Sequence, residues 1–119
     1  MTPTNPNLSQ RAIALRPNLT VDRQQLRDLC DRWQITQLEL FGSILRDDFR
    51  PDSDIDLLVT FADTARITFF DLDSIERQLS LLFDNRPVDL VTRRAIEQSH
   101  NPIRRAAILG TAQPFYPEP

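Results

Sequence analysis

A chain of 119 residues has room for one hydrophobic core and not two. Its charge balance, 14 − 17 = −3, supplies no basic field to hold a polyanion, so stable nucleic-acid binding is not expected. Every basic residue is arginine, which excludes a P-loop lysine, a Schiff base and a lysyl-nucleotide intermediate, and leaves phosphate chemistry to metals, backbone amides and arginine.

The first 19 residues carry three prolines without a period and read as a loose arm. Their start lacks the basic and apolar blocks of a signal peptide. Thr20 is the expected N-cap of a helix in which Leu26, Leu29, Cys30 and Trp33 share one face. In "QLELF" Leu38 and Leu40 alternate with polar neighbours as a strand would, and Gly42 ends it. After a loop with Pro51, "DIDLLVTF" is a second, central strand. Leu72, Ile75, Leu79, Leu82 and Phe83 repeat at helical spacing within 68–83. "NRP" breaks that helix, and "VDLVT" is a third strand. Helix resumes over about 93–109, with a fresh start capped by Asn101 before Pro102. "AQPFYPEP", with three more prolines, reads as a tail. The expected organisation is an arm over 1–19, one domain over 20–110 and a tail over 111–119. The class is α/β (α+β), a small mixed sheet flanked by helices.

No apolar stretch is long enough for a membrane span, and the lone Cys30 suits a reducing compartment, so the expected location is cytoplasmic. Cys30 and Trp33 lie on an apolar stripe and belong to the core. His100 has no cysteine cluster to join, so a structural zinc site is set aside. The pairs Arg93-Arg94 and Arg104-Arg105 read as solvated helix faces.

The chemistry gathers between residues 42 and 56. Side chains alternate along a strand, so Asp54 and Asp56 face the same way, about 6.6 Å apart from two rises of roughly 3.3 Å. Two carboxylates on one face repel unless a cation lies between them, and a divalent metal is the natural occupant. Asp89, inside "VDLV", is costly to bury alone and belongs beside the first pair. Three aspartates on adjacent strands could hold two metals about 3.5 to 4 Å apart, the arrangement of phosphoryl and nucleotidyl transfer. Gly42 lets the backbone approach a phosphate, the Ser43 hydroxyl and nearby amides favour an anion, and Arg46 can reach the same group. Arg46 is equally suited to pairing with Asp47, Asp48 or Asp52, and Asp48 reads as a structural partner in the loop.

Gly-Ser, ten residues, then Asp-x-Asp, with a later strand aspartate, resembles the signature of the DNA polymerase β-like nucleotidyltransferase superfamily. The fuller "GS..R.D..PDSDIDLLV" in so short a chain is similar to the minimal nucleotidyltransferase, MntA-like, family, over residues 36 to 92. That resemblance implies the nucleotidyltransferase fold, with Gly42 and Ser43 on the ATP phosphates, joined by Arg46 and Ser53, and Asp54, Asp56 and Asp89 on Mg²⁺. Asp89 takes the third carboxylate role, activating the acceptor hydroxyl. The implied reaction moves AMP from ATP to a tyrosine hydroxyl of a HEPN-domain RNase toxin and silences it. Two rivals stand beside it: transfer to a small molecule, for which the chain has no added acceptor domain, and an antitoxin acting by contact alone. Self-association is left open.

Overall fold

The computed structural model describes residues 12–16, 19–46, 50 and 52–118. Most of the expected arm, residues 1–11, lies outside them, as does Asp48. Two short strands open the described chain, β1 (Ala12–Arg16) and β2 (Leu19–Asp22), paired antiparallel. Thr20 therefore lies within a strand, and the helix start falls two residues later than its position suggested. Asp22 is the cap of α1 (Arg23–Trp33): its Oδ1 accepts the Gln25 amide at 2.9 Å.

Then follow β3 (Ile35–Phe41), a single 3₁₀ turn (Gly42–Leu45), β4 (Ile55–Phe61), α2 (Phe69–Leu82), β5 (Val88–Thr92), α3 (Arg93–Glu97), α4 (Pro102–Thr111) and β6 (Gln113–Tyr116). The helices start where short oxygen-bearing side chains satisfy free amides. Thr68 and Asp71 form a reciprocal capping box on α2, and Asn101 accepts the Arg104 amide before Pro102 on α4.

One sheet carries the order β5-β4-β3-β6, with β4 parallel to β5 and β3 antiparallel to both β4 and β6. The proline-rich ending is thus an edge strand, not a tail: Leu38 pairs with Tyr116, and Phe115 is 5% exposed. Pro114 is tolerated because an edge strand has one row of amides without a ladder to make.

Both faces of the sheet are covered. Leu38, Leu40, Leu57, Val59 and Leu90 pack with Leu26, Leu29 and Cys30 of α1 and with Ile75 and Leu79 of α2. On the other face, Phe41 and Leu58 pack with Ile96 of α3 and with Ile108 and Leu109 of α4. The alternation along β4 explains the split: Ile55, Leu57 and Val59 serve the first face, while Asp56, Leu58 and Thr60 share the second.

Candidate active site

The parallel register of β4 and β5 places Asp56 directly beside Asp89, and the antiparallel register of β3 places Phe41 on its other side. Cross-strand partners share a face, so Asp56 and Asp89 lie on the side that carries Leu58 and Phe41, one strand spacing apart. Asp54 stands just before β4 rather than within it, and is exposed, as is Asp89; Asp56 is half-buried. Burial, then the charges of Asp89 and Asp54, pushes the Asp56 carboxyl above the usual carboxylate range. The Ser43 backbone N–H, which donates to that carboxylate, and the Arg46 charge work in the opposite direction.

Gly42 ends β3 with φ +76°, in the left-handed region. It turns the chain so tightly against β4 that an added Cβ would collide with Asp56 Oδ2 and stand 3.2 Å from its Cγ. The Ser43 hydroxyl reaches the Asp54 carbonyl at 3.4 Å, joining the two ends of the intervening loop. The Gly-Ser pair and the Asp-x-Asp pair, separated in sequence, are therefore one local structure.

Comparison with known proteins carries this geometry to a family. The model of the nucleotidyltransferase domain matches residues 22–109. The chain belongs to the nucleotidyltransferase domain family. It is also similar to proteins of Methanocaldococcus jannaschii assigned as protein adenylyltransferases; two of them are each 30% identical over 86 residues, covering 72% of this chain and 82% of theirs. A solved minimal nucleotidyltransferase superposes with a TM-score of 0.56 at 32% identity, over 76% of this chain and 85% of that one. The same fold recurs in a toxin–antitoxin solved with AMP-PNP, with a TM-score of 0.57 at 22% identity over 76% and 69% of the two chains. It recurs again in a mutant toxin–antitoxin MntA–HpeT, with a TM-score of 0.56 at 19% identity over 79% and 71%.

This nucleotidyltransferase offers a hard, divalent cation a fitting set of donors. They are all oxygen, and the half-buried Asp56 carries a repulsion from two other carboxylates that a cation would relieve. Among the described residues no three His, Cys, Asp or Glu side chains are already drawn together as a metal centre. The carboxylates of Asp54 and Asp89 act on that of Asp56.

Three features of the nucleotidyltransferase were not expected from its sequence. Glu39, grouped with the polar side of β3, is 4% exposed, and both its oxygens accept from Arg93 Nη1, at 2.7 and 2.9 Å. Arg93 is thus a tether between α3 and the sheet and not a solvated residue. The register places Glu39 beside Leu58, one step along the face from Asp56. Second, Arg86 of the "NRP" break donates through Nη2 to the carbonyls of Arg50 at 2.6 Å and Ser53 at 3.1 Å. Ser53 itself accepts the Arg50 amide on its hydroxyl at 3.1 Å, so its hydroxyl is held within the loop and its carbonyl by Arg86. No local signal in the sequence marks either arginine, because both partners are distant in the chain. Third, a hollow of about 880 Å³ lies beside Thr60, Thr92 and Arg94, at the far ends of β4 and β5 from the aspartates.

The smaller expectations are met in place. Cys30 is fully buried, and Trp33 donates from Nε1 to Gln78 at 3.1 Å. His100 is exposed. Among the described residues no helix is long and apolar enough to cross a membrane.

Proposed function

We propose that this nucleotidyltransferase transfers AMP from ATP to a tyrosine hydroxyl of a HEPN-domain toxin and thereby silences it. The observation that carries the reading is the registered pair Asp56 and Asp89, backed by Gly42 and Ser43 at the turn out of β3. Support for the nucleotide comes from a fold neighbour solved with AMP-PNP, and support for a toxin partner from two toxin–antitoxin neighbours. Support for a protein acceptor comes from the adenylyltransferase assignments of the relatives.

Gly42, Ser43 and Arg46 hold the triphosphate, with Ser53 at the far end of the loop. Asp54, Asp56 and Asp89 would hold Mg²⁺, as two ions. When bound, the metal neutralises charge on the phosphates and on the departing pyrophosphate. The acceptor oxygen forms its bond to the α-phosphorus, the bond from that phosphorus to the bridging oxygen breaks, and pyrophosphate leaves. Asp89 takes the hydroxyl proton. Its exposed position at the sheet edge suits a group that must meet an acceptor arriving from another chain.

The test is the intact mass of the co-expressed toxin after incubation with this protein, ATP and Mg²⁺. AMP increments that disappear in the Asp54→Asn, Asp56→Asn variant are expected. A silenced toxin of unchanged mass would overturn catalysis in favour of contact.

A further inference from the structure

We infer that Arg86 is a positioning residue for the candidate cation site, acting through the loop that presents Asp54. The inference rests on the reading of Asp54 and Asp56 as cation ligands. Asp54 lies outside β4, so the strand ladder does not fix it. Beyond the Ser43 hydroxyl at its carbonyl, its position depends on the backbone on either side. On the following side, the Ile55 amide donates to the Pro87 carbonyl at 2.8 Å. On the preceding side, Ser53 is held in a closed turn: its amide donates to the Arg50 carbonyl at 3.0 Å, and its hydroxyl accepts the Arg50 amide at 3.1 Å.

Arg86 fastens that turn to the rest of the molecule. One nitrogen, Nη2, donates to the carbonyls of Arg50 and Ser53 together, the first and last residues of the turn. Arg86 is itself anchored, since the Ser80 hydroxyl of α2 donates to its carbonyl at 2.6 Å. Residue 86 and residue 87 thus grip the chain on both sides of Asp54, and both belong to the connection that leads into β5 and Asp89. The placement of Asp54 and the placement of Asp89 are set by one segment.

A guanidinium is suited to this task because it presents donors in a fixed plane and stays charged at any working pH. Lysine would supply one flexible ammonium and would hold the turn less well. Methionine would keep the length and remove the donors.

The experiment measures Mn²⁺ binding to the nucleotide-free protein by calorimetry, together with amide hydrogen exchange at Ser53 and Ile55 in the metal-free protein. Arg86→Met is expected to weaken Mn²⁺ by roughly 10- to 100-fold, as loss of an outer support does in metal sites, and to speed exchange at both amides. Arg86→Lys is expected to fall between it and the wild type. Ser80→Ala serves as the structural control: it removes the anchor bond and keeps the Arg86 donors, so it lowers the melting temperature and weakens Mn²⁺ less than Arg86→Met does. Wild-type Mn²⁺ affinity in Arg86→Met, or an equal loss in Ser80→Ala, overturns the inference alone. Wild-type Mn²⁺ affinity in Asp54→Asn overturns the cation reading, and the inference falls with it.

Discussion

Gly42 and Asp56 occupy space that only one of them can fill with a side chain: a Cβ at position 42 would collide with the Asp56 carboxylate. The glycine is required twice, by this contact and by its φ of +76°. Gly42→Ala should lose about 1–2 kcal/mol of stability from the left-handed backbone alone. Activity should fall further than stability, because the atom displaced belongs to a proposed ligand. Thermal melting and AMP transfer measured on one preparation separate the two, and loss in proportion to unfolding alone would refute the second effect.

Asp56 sets function against folding. Its carboxyl is held above the ordinary range by burial, Asp89 and Asp54, so the folded protein binds that proton more tightly than the unfolded chain does. The resulting stability is present below the unfolded pKa and lost as pH rises through the folded one. Metal-free Asp56→Asn should therefore melt above the wild type at neutral pH, with the gap closing below the carboxylate range, and should be inactive. Melting curves in chelator from pH 3 to about 8 check the sign, which is opposite to that of a paired carboxylate.

The Glu39–Arg93 pair predicts a different asymmetry. Glu39 is buried while Arg93 keeps 29% of its side chain exposed, so the arginine can recover some hydration alone and the acid cannot. Arg93→Ala should cost about 3 kcal/mol, toward the lower end of the cost of breaking a buried pair. Glu39→Ala should cost less, and the double variant Glu39→Leu, Arg93→Met should recover most of the loss. Denaturant melts of the wild type, Glu39→Leu, Arg93→Met and the double variant form the cycle, and strict additivity would show that the pair is not coupled.

Phe115 tests the last strand. Buried at 5% and packed in the main core, it should cost roughly 3 kcal/mol as Phe115→Ala. A cost under about 0.5 kcal/mol, the size of an ordinary surface change, would return the segment to the status of a tail.

The residues that failed to show their structure in the sequence have one thing in common. Leu26 to Trp33, the run from Ile55 to Phe61 and "VDLVT" declare themselves because their partners follow from local periodicity, and Gly42 with Asp54, Asp56 and Asp89 declare themselves through type and spacing, although Asp54 falls just outside the strand its spacing implies. Strand β6 is four residues long and contains a proline, so it has too little period to read, and its pairing with Leu38 spans most of the chain. Glu39 in "LEL" is indistinguishable from a solvent-facing strand residue until Arg93 is placed beside it. Arg86 sits in a helix-breaking tripeptide, where proline explains everything visible and the guanidinium nothing. Thr20 lost the cap to Asp22 because β1 exists to extend β2, which no pattern in residues 12–16 announces.

Because β4 is covered on both faces, its reading frame is closed to insertions and deletions. One extra residue after Ile55 would carry Leu57 and Val59 to the side of α3 and Leu58 to the side of α2, and would take the carboxylate of residue 56 out of step with Asp89. An indel scan across the chain should therefore find Ile55–Val59 intolerant at every codon. The separation of two between Asp54 and Asp56 is then inherited as a unit with the apolar run behind it, and a lineage could lose the chemistry by substitution far more readily than it could respace it.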